Sequence, residues 1–353
     1  MAVQPLTIAV DAMGGDLGPE EVVRGVVTAS GIHAGKVNFI IVGNEEIIQR
    51  ELTKLTKGKP SLDNVTVQHA SQTIEMTDKP REVYRRKPDA SVVVSARLVK
   101  EGAANAFVSI GNTGAAMAAS LFLFRTIPGV ARPAIATPLP SLSGKIPVLL
   151  DAGANVDCNA EQLLHFAVMG VCYARQVLGV KKPTVGLLSN GEEESKGNEL
   201  TREAHKLLKA FIPEFHGNVE GRQVFEGAVD VIVCDGFDGN IVLKTGEGVA
   251  EMVLGLLKIE LSRHQWMKLF ILPLRSGIRK MRAKIDYREF GGAPLLGVNG
   301  VCIIGHGRSD QRAIVNAIRV AEMSVRNNLV KEITDAMADL SERTAIQTEE
   351  VVH

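Results

Sequence analysis

Ala106-Phe107-Val108-Ser109-Ile110-Gly111-Asn112-Thr113-Gly114 joins two local patterns within a few residues, and a third follows at Ala115–Phe124. The first run is apolar at both odd and even positions, as expected of a strand covered on both faces. A short Gly/Asn turn comes next. The run after it is rich in Ala, Leu and Met, good helix formers. This strand–loop–helix unit recurs along the chain. Leu6–Val10 leads into Asp11-Ala-Met-Gly14-Gly15-Asp16 and a helix opening near Pro19. Ile146–Leu150 leads into Asp151-Ala-Gly-Ala-Asn155, and Thr184–Leu188 into Ser189-Asn-Gly-Glu-Glu193. Val229–Cys234 leads into Asp235-Gly-Phe-Asp-Gly-Asn240, and Val301–Ile304 into Gly305-His306-Gly-Arg-Ser309. Doubly covered strands alternating with helices predict an α/β fold with a largely parallel sheet between two helical layers.

The units run from end to end without a Pro/Ser-rich linker. The expectation is therefore a single α/β domain over residues 1–353. Residues 133–148 are proline-rich but read as a strand and turn. One segment departs from the pattern. Residues 248–290 read as a helical hairpin, with Leu254, Leu257 and Leu261 on its first arm and Pro273 breaking the helix. Its tip carries Trp266, Phe270, Leu272 and Leu274. Over Lys258–Arg288 nine basic residues face two acidic ones, a local net charge of +7. That charge disfavours a core position and leaves two compatible readings. The hairpin is a dimerisation arm, or its tip enters the interface of an anionic membrane.

Forty Lys and Arg balance forty Asp and Glu, so net charge points to no nucleic-acid partner. Four separated cysteines without a Cys-x-x-Cys pair argue against a zinc or redox site and suit a reducing cytosol. The first residues read as a strand, not a signal peptide, and no apolar run is long enough to span a membrane. The expected location is cytoplasmic, with peripheral membrane contact through the hairpin.

In a parallel sheet, ligands bind beyond the carboxyl ends of the strands. All six loops lie at such ends, and the expectation is that they converge on one crevice. Glycines let a ligand approach the backbone, and helix N-termini favour anions. The chemistry implied is a site for phosphate or another oxyanion. Gly14-Gly15-Asp16-Leu17-Gly18 lacks the Gly-x-Gly-x-x-Gly spacing of a dinucleotide loop, and no Walker sequence occurs. No Gly-x-Ser-x-Gly elbow surrounds Ser109 or Ser189. His306 reads equally as a substrate-orienting group and as a plain turn histidine. The reading assigns no cofactor and no metal.

Six stretches together resemble the phosphate acyltransferase family, which makes acyl-phosphate for phospholipid synthesis. They are Val10–Asp16 with Gly18-Pro19, Ser109–Gly114, Asp151–Asp157, Gly191–Glu199, Cys234–Asn240 with Lys244, and Leu296–Gly300 with Gly305–Gly307. The resemblance implies a three-layer α/β/α, Rossmann-like fold similar to isopropylmalate dehydrogenase and phosphotransacetylase, and a homodimer. It also implies conversion of fatty acyl-ACP and inorganic phosphate to acyl-phosphate and free acyl carrier protein. Phosphate is already an anionic nucleophile, so direct attack on the thioester needs no Ser–His pair. It needs fixed donors and positive charge. The expected catalytic residues are Lys196 and Asn240 on the phosphate or oxyanion, with Lys244 in support and Asp11 and His306 positioning or relaying protons. Gly14, Gly15, Asn112, Thr113, Gly114, Asn155, Asn198, Glu199 and Asp235 are expected to bind substrate or phosphate. Against the role of Lys196 stands simple charge balance with Glu192–Glu194. Two other functions remain: an acyl-CoA:phosphate transferase of phosphotransacetylase type, and a non-catalytic protein holding acyl groups or carrier protein at a membrane.

Overall fold

The protein is described by a computed structural model covering residues 5–56, 62–75, 78–79, 84–263, 277 and 291–352. The expected strands appear as β1 (Leu6–Asp11), β4 (Ala106–Ile110), β7 (Val148–Leu150), β8 (Val185–Leu188), β10 (Val231–Val233) and β12 (Val301–Gly305). Between them lie β2 (Val37–Gly43), β3 (Val65–His69), β5 (Ala134–Ile135), β6 (Thr137–Pro138), β9 (Phe215–Val219) and β11 (Ala293–Leu296). They form a seven-stranded sheet of order β3-β2-β1-β4-β12-β11-β5 and a five-stranded sheet of order β6-β7-β10-β8-β9.

Side chains alternate across the sheets as the period of two requires. Ile8, Val10, Val108, Val148, Leu150, Val231 and Val233 enter one apolar cluster. Ala9, Phe107, Leu149, Ile232 and Cys302 enter another. Helices complete each layer. α1 (Pro19–Ile32), α2 (Glu45–Leu55), α5 (Ala160–Gln176), α6 (Glu199–Phe211), α9 (Gln311–Arg326) and α10 (Leu329–Val352) bury their apolar stripes in the first cluster. α3 (Ser91–Lys100), α4 (Thr113–Phe124), α7 (Gly221–Glu226) and α8 (Gly236–Arg263) contribute to the second. This is a three-layer α/β/α arrangement. Both clusters take side chains from both sheets. Burying one such Val, Leu or Phe side chain contributes about 1.5–3 kcal/mol.

Sequence signals for helix starts are realised as caps. Asn112 caps α4, Asn198 caps α6, Asp310 caps α9, and Asn159 with Gln162 forms a capping box on α5. No helix among the described residues is long and apolar enough to cross a membrane.

Two expectations need correction. First, the six loops do not share one sheet edge. β5 runs antiparallel to β11, and β11 antiparallel to β12. The chain continues through Ala136 into β6, which runs antiparallel to β7. The parallel strands of the five-stranded sheet therefore run opposite to those of the seven-stranded sheet along this ribbon. Their carboxyl ends form two groups of three loops. Second, the helix after Cys234 begins at Gly236, not beyond Asn240. Gly236 and Gly239 allow this by fitting closely against Asp151 and Asn155, where a Cβ would collide. Beyond Arg263 most of the 248–290 hairpin, including Trp266, Phe270, Leu272 and Leu274, lies outside the described residues.

Candidate anion site

The first group of loops follows β1, β4 and β12. Asp11 is buried, and its Oδ2 accepts from the Ser109 hydroxyl at 2.7 Å while Oδ1 accepts from the Met13 amide at 3.2 Å. Burial pushes its carboxyl above the usual range, and hydrogen bonds from Ser91, Ser109 and Met13 oppose the rise. Gly14 packs directly on Gly111, and a Cβ on either glycine would strike the other loop's backbone. The Asp16 amide donates to the Gly307 carbonyl at 2.8 Å. Gly15 lies against Ile110. The Asn112 side-chain oxygen is engaged as the α4 cap, accepting from the Ala115 amide at 3.0 Å. Thr113 and Gly114 are the first two residues of α4, with Thr113 exposed. Exposed His306 accepts at Nδ1 from the Arg308 amide at 3.1 Å. The structure thus brings Asp11, Gly14, Gly15, Asn112, Thr113, Gly114 and His306 to one end of the seven-stranded sheet.

The second group follows β7, β10 and β8. Its centre is Asp151, a residue absent from the sequence-based candidates. Asp151 is fully buried. Its Oδ1 accepts from the amides of Ile135, Gly153 and Ala154 at 3.0, 3.2 and 3.0 Å. Its Oδ2 accepts from the Asn155 amide at 2.7 Å and the Asn155 side chain at 3.0 Å. Burial raises its pKa, opposed by these donors. Five donors on one carboxylate wrap the loop around a fixed point. Asn155 also donates to the Pro133 carbonyl at 2.7 Å. That side-chain amide is therefore occupied in holding the loop, and its expected role as a phosphate donor gives way to a structural one. The signal that could have found Asp151 is the repeat of Val10-Asp11-Ala12 as Leu150-Asp151-Ala152 at two strand ends.

Asp235 caps α8, accepting from the Asp238 amide at 2.8 Å. Asn240 and Lys244 lie on α8 itself, four residues apart and so on one face. Asn240 is exposed, and its side chain overlies Gly153. Lys244 pairs with Glu247 at 2.8 Å. The loop after β8 carries exposed Lys196 and ends at Asn198, whose oxygen caps α6 through the Thr201 amide at 2.9 Å. Glu199 is the first residue of α6 and exposed. The Asn218 side chain donates to the Glu193 carbonyl at 2.9 Å and meets His205 at 2.9 Å, fastening this loop from below. Sequence reading did not single out Asn218 or His205, whose contacts are long-range.

Two of the three glutamates beside Lys196 are engaged elsewhere. Glu192 accepts from Arg222 and Gln223 at 3.3 and 3.0 Å, and Glu194 from Lys209 at 2.9 Å. Among the described residues Lys196 has no ion pair. Ser189, at the end of β8, has a buried hydroxyl without a hydrogen-bond partner among the described residues. An exposed ammonium and an exposed amide on the helix after the neighbouring strand are donor types that suit an oxyanion.

Residues 6–332 match the family model described as fatty acid synthesis protein. A phosphate acyltransferase of Pelotomaculum thermopropionicum is 47% identical over 340 residues, covering 96% of this chain and 97% of the relative. Phosphate acyltransferases of Desulforudis audaxviator (49% over 340 residues, 96% and 98% covered) and Geobacter sulfurreducens (46% over 332 residues, 94% of each) match similarly. Among solved structures, a phosphotransacetylase from Streptococcus pyogenes superposes with a TM-score of 0.62 at 19% identity, covering 92% and 95% of the two chains. At that identity the likeness shows the fold, in agreement with the three layers described above. With nearly full-length matches to the model and to these relatives, the chain belongs to the fatty acid synthesis protein family.

Proposed function

We propose that this protein is a phosphate acyltransferase that moves a fatty acyl group from acyl carrier protein to inorganic phosphate, feeding glycerophospholipid synthesis. The observation that carries this reading is 47% identity to a phosphate acyltransferase over 96% of the chain. The site supplies a consistent chemistry. A phosphate oxygen attacks the thioester carbonyl carbon, and the C–S bond breaks with its electron pair on sulfur. The phosphate's proton passes to the thiolate, leaving acyl-phosphate and the carrier's free thiol. Lys196 and Asn240 hold the phosphate and the developing oxyanion, and one such donor typically lowers a barrier by about 3 kcal/mol. Lys244 supports from the next turn of α8. Partly buried Ala154, Leu188, Val242 and Leu243 share one apolar cluster around these loops and offer a surface for an acyl chain.

On this reading the chain works as one α/β unit in a homodimer. Val249, Met252, Val253, Leu256 and Ile259 of α8 are each about half exposed, which supports an arm that meets a second copy. The basic segment Lys258–Arg288 brings the enzyme to an anionic membrane. Leu272→Glu then lowers flotation with anionic vesicles; equal flotation of variant and parent removes the membrane contact.

The test of the reaction is loss of the acyl-carrier thioester by purified protein with and without inorganic phosphate. The expected result is phosphate-dependent loss with acyl-phosphate formed in equal amount. No loss contradicts the reading, and faster turnover of acyl-CoA reassigns the donor.

A further inference from the structure

Basic residues bordering the described loops at the ends of β7, β10 and β8 include Arg132, Lys196, Arg202, Lys209, Arg222 and Lys244; Arg202 donates to the Gly197 carbonyl at 2.6 Å and Lys209 pairs with Glu194 at 2.9 Å. Arg222 is taken by Glu220 and Glu192, and Lys244 by Glu247. Arg132 and Lys196 are exposed and have no ion pair among the described residues. Arg132 is fixed in place by its neighbours. Pro133, which follows it, accepts from the Asn155 side chain, and Ile135 both donates to Asp151 at 3.0 Å and accepts from the Ala152 amide at 3.0 Å. On its other side the Ala131 amide donates to Nδ1 of buried His165 at 3.4 Å. The backbone carrying Arg132 is thus stitched to the Asp151–Asn155 loop and to α5.

The strand order places this residue. In the sequence β6-β7-β10-β8, Arg132 precedes the β5–β6 ribbon at one side and Lys196 follows β8 at the other. Asn240 rises from the loop and helix after β10, between them. Adjacent strands are about 4.8 Å apart, so the β6 and β8 positions stand roughly 14 Å apart, with β7 and β10 between them, a span that an Arg and a Lys side chain can close on one phosphate. Two unpaired cations therefore bracket Asn240.

We infer that Arg132 is a further phosphate-binding residue of this site, facing Lys196 across Asn240. The inference rests on the phosphate acyl-transfer reading and extends it. A guanidinium binds phosphate through two parallel N–H donors, which orients the group as well as neutralising it. The phosphate comes either from the inorganic nucleophile or from the phosphopantetheine arm of the acyl donor.

Arg132→Ala and Arg132→Lys separate these sources. Both are exposed substitutions and leave the melting temperature unchanged. If Arg132 holds the nucleophile, Arg132→Ala raises KM for phosphate at least tenfold with KM for acyl-ACP unchanged, and Arg132→Lys recovers part of the loss. If it holds the arm, KM for both acyl-ACP and acyl-phosphopantetheine rises instead. A rise confined to acyl-ACP assigns Arg132 to a carboxylate of the carrier and overturns the inference. So do both KM values within twofold of the parent. Calorimetric titration with inorganic phosphate, and with phosphopantetheine, is run alongside. Should the parent protein show no phosphate-dependent thioester loss, the proposed function fails. The inference then stands or falls on whether Arg132→Ala weakens binding of either probe tenfold.

Discussion

At the ends of β1, β4 and β12 the loops lean on one another, Gly14 on Gly111 and Asp16 on Gly307, with Asp11 closed beneath them. At the ends of β7 and β10 the chain leans on a buried carboxylate, Asp151, the β8 loop is held by Asn218, and Lys196 and Asn240 lie in solvent. Both regions are rich in glycine and sit beside helix N-termini, and by sequence they look equally suited to an anion. The difference is in how the loops are held. In the first region backbone meets backbone, and the Asn112 oxygen and His306 Nδ1 accept local amides. In the second, Asp151 satisfies the backbone of the β7 loop and Asn218 holds the β8 loop, with Lys196 and Asn240 exposed above them. Glycine and asparagine in a loop are therefore weak indicators of binding until their hydrogen bonds are accounted for.

The contrast can be broken most severely at its centre. Asp151→Ala strips five hydrogen bonds from one buried point and leaves their donors unmet. The expected loss is about 3–5 kcal/mol of stability, read by denaturant titration, and a loss below 1 kcal/mol denies the loop its anchor. Gly111→Ala tests the first region in its own terms. A methyl group there forces the β1 and β4 loops apart, at an expected cost of about 2–4 kcal/mol, with the melting temperature falling more than phosphate KM changes. A rise in phosphate KM at unchanged stability instead places the anion in the first region. Thr113→Ala is a milder probe of the same question, and kcat/KM is expected to fall less than tenfold, well below the effect of removing Lys196.

The smallest effect expected concerns pH. Asp11 has its folded pKa raised by burial. Its stabilising contribution is complete below the unfolded value of about 4 and is lost as pH rises through the folded value, because the native state holds the proton longer. Asp11→Asn removes this dependence. Parent stability relative to the variant should therefore be greatest near pH 4 and decline toward neutral pH in paired melts. A difference that grows with pH contradicts the protonation sense assigned to Asp11.

Much of this was legible in the chain. The six strand–loop–helix units and the three layers follow from local pattern, because doubly buried strands are written in adjacent residues. The family resemblance also pointed to Lys196 and Asn240. Three features were not legible. The reversal between the sheets depends on β5 and β6, two residues each, too short to show periodicity. Asn240 appeared to lie in a loop because glycines flank it, whereas those glycines fit the first turn of α8 onto Asp151. Arg132 sits in a proline-rich stretch with no motif, and only hydrogen bonds spanning about twenty residues bring it to the site.

The central claim is that the second group of loops holds phosphate through Lys196. The most direct measurement is the phosphate dependence of acyl-ACP turnover by Lys196→Ala. Lys196 is exposed and unpaired, so the variant should melt with the parent while kcat/KM for phosphate falls about 10²–10³-fold. Turnover near the parent's at limiting phosphate would contradict the account.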